Sequence, residues 1–143
     1  MIADTEMGDI LKVACTIAIV GLSNNTNRPS FAVAQFLQQK GYRILPVNPK
    51  LQRPVLGVQP YASLHDIQGR VDIVDVFRRS EFIPEIVEDA ITIQAGTVWM
   101  QLGIINEEAA LRGHKAGINI IMDRCIAIEY RRLSRYGEMD LVS

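Results

Sequence analysis

Along this chain, short fully apolar runs alternate with longer stretches whose apolar residues recur every three or four positions. After a short amphipathic piece, "DILKVA", the run "CTIAIV" (15–20) has no polar face, the pattern of a strand buried on both sides of a sheet. The following "PSFAVAQFLQQKG" (29–41) places Val33, Ala34, Phe36 and Leu37 on one stripe, with Pro29 suited to a first helical turn and Gly41 to a helix end. "YRILPV" (42–47) comes next as a second strand, so these segments form a strand, helix, strand unit that must cross over right-handed in a parallel sheet.

The alternation continues. "VLGVQPY" (55–61) predicts a short strand, "SLHDIQ" (63–68) a short helix and "VDIVDVF" (71–77) an interior strand. Phe82, Ile83, Ile86, Val87, Ala90 and Ile91 then recur at helical spacing, with Pro84 favouring a start after Ser80. "TVWMQL" (97–102) is the fifth strand of this reading. In "NEEAALRGHKAG" (106–117), Asn106 is an N-cap, Glu107 and Glu108 lie in the first turn, His114 and Lys115 in the last, and Gly117 terminates. "INIIM" (118–122) is the last strand and "CIAIEYRRLSRY" (125–136) a closing helix. The expected fold is α/β: a doubly wound, Rossmann-like parallel sheet of order 3-2-1-4-5-6 with helices on both faces.

No internal repeat or Gly/Ser/Pro-rich linker divides the 143 residues, so a single domain over 1–143 is expected. No apolar run reaches the roughly 18 residues of a membrane span, and the N-terminus lacks a cationic segment leading into an apolar one. A cytoplasmic protein without membrane association is therefore expected. Cys15 and Cys125 are too few and too isolated for a disulfide framework or metal cluster, so both read as reduced thiols. A net charge of −1 argues against a nucleic-acid binder.

Charge matters locally instead. In a doubly wound sheet the ligand crevice lies at the C-terminal ends of the strands, where their order reverses. Arg28, Lys50, Arg53, Arg78, Arg79 and Arg124 all fall in the loops leaving those ends, against only Glu81 and Asp123. Such a rim suits a small polyanion carrying several phosphates. A dinucleotide fingerprint would need glycine at 21, 23 and 26 and an acid closing the second strand. The chain has Gly21 but Ser23 and Thr26, and it closes the strand with Val47, Asn48 and Pro49, which disfavours NAD. What remains is a longer polar turn ahead of a proline-initiated helix, whose first amides can face phosphate oxygens.

In order, "VGLSNNTNRPS", "GYRILPVNP", "DIVDVFRRSE", "VWMQLGI" and "MDRCIAIE" resemble the small stand-alone CoA-binding proteins, relatives of the N-terminal domain of the succinyl-CoA synthetase α subunit. The resemblance covers residues 14–133. It implies a Rossmann-type domain that binds coenzyme A with its 3'-phospho-ADP end in the crevice. By the same resemblance Gly21, Ser23, Asn24, Arg28 and Ser30 line the pyrophosphate, and Val47, Asn48 and Pro49 flank the adenosine with Lys50 at the 3'-phosphate. Phe77, Arg78 and Arg79 border the nucleotide, and Met100, Gln101 and Leu102 the pantetheine arm. The synthetase's second domain, with its phosphorylated histidine, has no counterpart in the chain.

No catalytic group is expected. His65 and His114 lie on predicted helices away from the crevice without a catalytic partner. Cys125 is a weak candidate for thiol exchange with bound CoA, its thiolate favoured by Arg124. Asp75, in mid-strand, is expected to turn toward Arg124 or loop amides, because an unpaired carboxylate there is costly. Trp99 reads as core. The expected function is a non-catalytic binder of CoA or acyl-CoA, acting as carrier, sensor or accessory subunit to a protein partner. The alternatives are an NAD(P)-dependent or other nucleotide-dependent enzyme and a ligand-free interaction platform.

Overall fold

The computed structural model describes residues 2–135. Five parallel strands, β1 (Thr16–Val20), β2 (Arg43–Val47), β3 (Ile73–Val76), β4 (Thr97–Met100) and β5 (Asn119–Ile121), form one sheet of order β2-β1-β3-β4-β5. Five α-helices pack on it, α1 (Asp4–Val13), α2 (Pro29–Gln39), α3 (Ile83–Thr92), α4 (Glu107–Lys115) and α5 (Ile126–Arg135), and the short helix expected over 63–68 is a single 3-10 turn, Leu64–Asp66. The last residue of the predicted closing helix, Tyr136, lies outside the described residues.

Both faces of the central strands are covered, which is why their sequences show no alternation. Ile17, Ile19, Ile73 and Trp99 point to one side, under α1, α2 and α5, with Met7, Leu11, Leu37, Tyr130 and Leu133. Ala18, Val20, Val74, Val76, Val98 and Met100 point to the other, under α3 and α4. The doubly wound parallel fold is as the sequence pattern predicts. Helix ends follow local chemistry too: Asn106 accepts the Ala109 amide at the start of α4, and Gly41 and Gly117 take positive φ where α2 and α4 stop.

One expected strand is reduced to a contact. The segment 55–61 folds back on itself through a bridge between Val55 and Val58, and only Tyr61 meets the outer edge of β2, opposite Val47. Pro54, Gly57 and Pro60 interrupt it, and Leu56 and Gly57 both adopt positive φ, so no run survives long enough to form a ladder. Without that strand the predicted order 3-2-1-4-5-6 becomes the observed one, and the reversal still falls beside β1, between β1 and β3. Pro46 is tolerated in β2 because this strand is at the edge, and its carbonyl accepts the Tyr61 amide.

The two ends of the described chain are tied together. Arg132 of α5 makes two 2.8 Å contacts to the Asp4 carboxylate of α1 and a 2.9 Å contact to Glu129. Below the sheet, Asp72 accepts the amides of Cys15 and Thr16 and pairs with Arg70. Burial alone would raise the Asp72 pKa, but these donors bring it below the usual carboxylate value.

Candidate functional site

The crevice is built where β1, β2 and β3 end. Val20 closes β1 and its carbonyl accepts the Phe77 amide from the end of β3 at 2.8 Å; the next residue, Gly21, donates to Val47 at the end of β2 at 2.9 Å. Gly21 has φ +87°, and a Cβ there would lie 2.5 Å from the Phe77 carbonyl oxygen and 3.0 Å from Cδ of Arg78. Glycine is required twice over, by backbone conformation and by space. Asn48 adds the third stitch, donating to the Leu22 carbonyl at 3.1 Å while accepting the Lys50 amide at 3.0 Å.

The loop leaving Gly21 holds itself in shape. The Ser30 hydroxyl accepts the Ser23 amide, the Ser23 hydroxyl accepts the Asn25 amide, and the Asn25 side chain accepts the Asn27 amide, all at 2.9–3.0 Å. These are turn-forming bonds of the kind short polar side chains make with nearby backbone. They leave Asn24, Thr26 and Arg28 exposed. Arg28 is the N-cap of α2 and makes no side-chain cap, and Pro29 follows at the helix start. The first turn of α2 is therefore not filled by a side chain of its own, which suits it to an anion.

Of the predicted rim cations, Arg28, Lys50, Arg53 and Arg78 form no ion pair with the described residues, whereas Arg79 sits 3.3 Å from Glu81. Arg78 is half-buried, its guanidinium carbon 4.1 Å above the Phe82 ring. Arg124 departs from expectation. It pairs with Glu129, which also holds Arg132, and does not reach Asp75. Its carbonyl accepts the Trp99 indole N–H at 2.9 Å, so Trp99 is core with its one donor satisfied.

The residues assigned to the pantetheine arm are dispersed by burial. Met100 has no exposed surface and its carbonyl accepts the Arg124 amide. Gln101 is buried and accepts the Ile126 amide at the start of α5, whereas Leu102 is exposed. Leu102 and the half-buried Cys125 line an open cleft of about 710 Å³ along β5, with Ile105, Asp123, Arg124 and Ile128. This cleft lies on the β5 side of the sheet, away from the Gly21 turn.

The expectation that Asp75 finds a partner is wrong. Its carboxyl is completely buried between Ile19 of β1 and Trp99 of β4, and neither oxygen has a hydrogen-bond partner among the described residues. Burial holds its pKa well above the ordinary carboxylate value; the nearby Val76 amide lowers it only in part. His65 does have a partner, Asp89 Oδ1 at 2.8 Å, but on the outer surface rather than at the crevice. His114 is exposed at the cleft beside β5. Glu129, Phe82 and Asp89 are the partners that sequence reading missed. The spacings of Arg78 and Phe82 and of Arg124 and Glu129 carried a local signal; the pairing of His65 with Asp89 depends on how separate elements pack. Among the described residues no cluster of His, Cys, Asp and Glu could hold a metal, and no helix is long and apolar enough to cross a membrane.

A doubly wound parallel sheet with a glycine turn and a helix start at its switch point defines a fold of the Rossmann-like class. The family model of the CoA binding domain matches residues 15–131, and the chain belongs to that family. It is 42% identical over 125 residues to the uncharacterized protein YneT of Bacillus subtilis, covering 87% of this chain and 92% of that protein. The structure of cell-free ID.343 from Thermus thermophilus superimposes with a TM-score of 0.88 at 36% identity, covering 92% of this chain and 99% of that one. The alpha subunit of an ADP-forming acetate–CoA ligase II of Pyrococcus furiosus is 27% identical over 128 residues, 78% of this chain but only 27% of the subunit. The chain thus spans about a quarter of that ligase subunit.

Proposed function

We propose that this chain binds coenzyme A or an acyl-CoA, with the 3'-phospho-ADP end at the C-terminal ends of β1, β2 and β3, as a non-catalytic carrier, sensor or accessory subunit. The observation that carries the reading is the Gly21 turn, where backbone replaces a side chain beside the uncapped start of α2 while Arg28, Lys50 and Arg53 stay without an ion pair among the described residues. On this reading Gly21, Ser23, Asn24, Arg28 and Ser30 surround the pyrophosphate. The Ser23 and Ser30 oxygens accept loop amides, and each hydroxyl keeps a proton to donate. Val47, Asn48 and Pro49 flank the adenosine, Lys50 reaches the 3'-phosphate, and Phe77, Arg78 and Arg79 close the opposite side. Two or three charge-assisted hydrogen bonds, at about 1.5–3 kcal/mol each, supply much of the roughly 8 kcal/mol that micromolar binding needs.

Calorimetry with CoA, dephospho-CoA, NAD and NADP tests this. CoA is expected to bind, dephospho-CoA more weakly, and the two nicotinamide nucleotides not measurably. Arg28→Ala and Lys50→Ala should each weaken CoA about 10- to 100-fold. Lys50→Ala should also abolish the preference over dephospho-CoA. Binding of NAD or NADP without CoA would transfer the crevice to the enzyme reading, and no response to any of the four would leave the interaction platform.

A further inference from the structure

Among the described residues, Asp75 has the only buried side-chain oxygens without a hydrogen-bond partner. It lies on β3, one of the two strands that flank the switch point. Its successor but one, Phe77, supplies both the amide held by Val20 and the carbonyl against which Gly21 is packed. Asp75 shares its face of the sheet with Ile73 and is flanked in register by Ile19 and Trp99, so an ionised carboxylate there is shut off from bulk solvent and has no counter-charge among the described residues.

The charged and titratable groups on this side of the sheet are all engaged elsewhere or exposed. The Tyr42 hydroxyl donates to the Leu11 carbonyl. Tyr130 of α5 packs edge-on against Tyr42 and Phe36. Glu129 and Arg132 of α5, Arg124 before it and Asp4 of α1 form one ion network. Arg131 lies over the Phe36 ring and Cys125 lines the cleft beside β5. Arg28 at the start of α2 is exposed, and Arg78 beyond β3 rests on Phe82. None reaches the Asp75 oxygens.

We propose that Asp75 is a proton-operated switch beneath the crevice: as a carboxylic acid it permits a polyphosphate ligand to bind beside Gly21, and as a carboxylate it opposes binding. Two physical effects act in the same direction. A negative charge on β3 repels phosphates held a few residues further along the same strand ends, and a carboxylate seeking water pushes β3 out of register with β1, which opens the contact between Phe77 and Gly21. Reciprocity then requires that a bound polyphosphate make Asp75 harder to ionise. The inference rests on the crevice accepting CoA, as proposed above.

The test is CoA affinity measured from pH 5 to 9.5 on the wild type and Asp75→Asn. The acid-only rule predicts that, once Asp75 ionises, the wild-type Kd rises by up to about tenfold per pH unit relative to the variant, whose profile keeps only the titration of CoA itself. Because Asp75→Asn also buries an amide, a second measurement needs no variant. Carboxyl-carbon NMR of the wild type should show Asp75 titrating at higher pH when CoA is bound. Matching pH profiles in the two proteins, or an Asp75 titration unmoved by bound CoA, overturns the switch. Failure of CoA to bind the wild type at any pH would instead refute the binding assignment on which the switch depends.

Discussion

Gly21→Ala is expected to lower stability by about 2–4 kcal/mol and to weaken CoA binding at least 100-fold. One part of the cost is backbone strain, about 1–2 kcal/mol for a side chain at positive φ. The other is the collision of the new methyl with the Phe77 carbonyl oxygen at 2.5 Å, where the obstacle is backbone and cannot swing aside. Relief requires β3 to draw away from β1, which spreads the strand ends that frame the crevice. For a domain of this size the loss corresponds to a drop of roughly 6–16 °C in Tm. Gly41→Ala supplies the comparison, because Gly41 has φ +98° with nothing within 4 Å of its hypothetical Cβ. It should show the strain alone and leave binding intact. Equal melting temperatures for the two variants would mean that the contact with Phe77 does not matter.

The second large effect concerns Asp75 in the unliganded protein. Burial raises its folded pKa well above the value of about 3.9 that an exposed aspartate has. A group shifted in this direction stabilises the fold relative to its own ionised state, fully so below about pH 4, and that contribution is lost as pH climbs through the raised value. The wild type should therefore lose stability on going from mildly acidic to alkaline pH. Asp75→Asn should flatten that slope. Asp75→Val, which replaces two unpartnered oxygens by methyl groups in a strand, should gain about 1–3 kcal/mol at pH 8. Urea midpoints collected from pH 5 to 9 decide the matter, and a wild-type curve parallel to that of Asp75→Asn would show that Asp75 does not titrate with unfolding.

A carboxylic acid retained at the centre of the sheet, where valine would stabilise, argues for a use. Structure alone explains Asp72, whose oxygens hold the Cys15 and Thr16 amides and Arg70 at the entrance to β1. No comparable bond explains Asp75.

The succession of strands and helices and the caps at Asn106, Gly41 and Gly117 were present in the sequence by itself. Each depends on periodicity or on residues close together in the chain. Only the tertiary structure decided that Met100 is sealed in the core and that Asp75 has no hydrogen-bond partner among the described residues. Those outcomes turn on which side chains meet across elements far apart in sequence. Local pattern says which face a residue points to, but packing alone determines what stands opposite it.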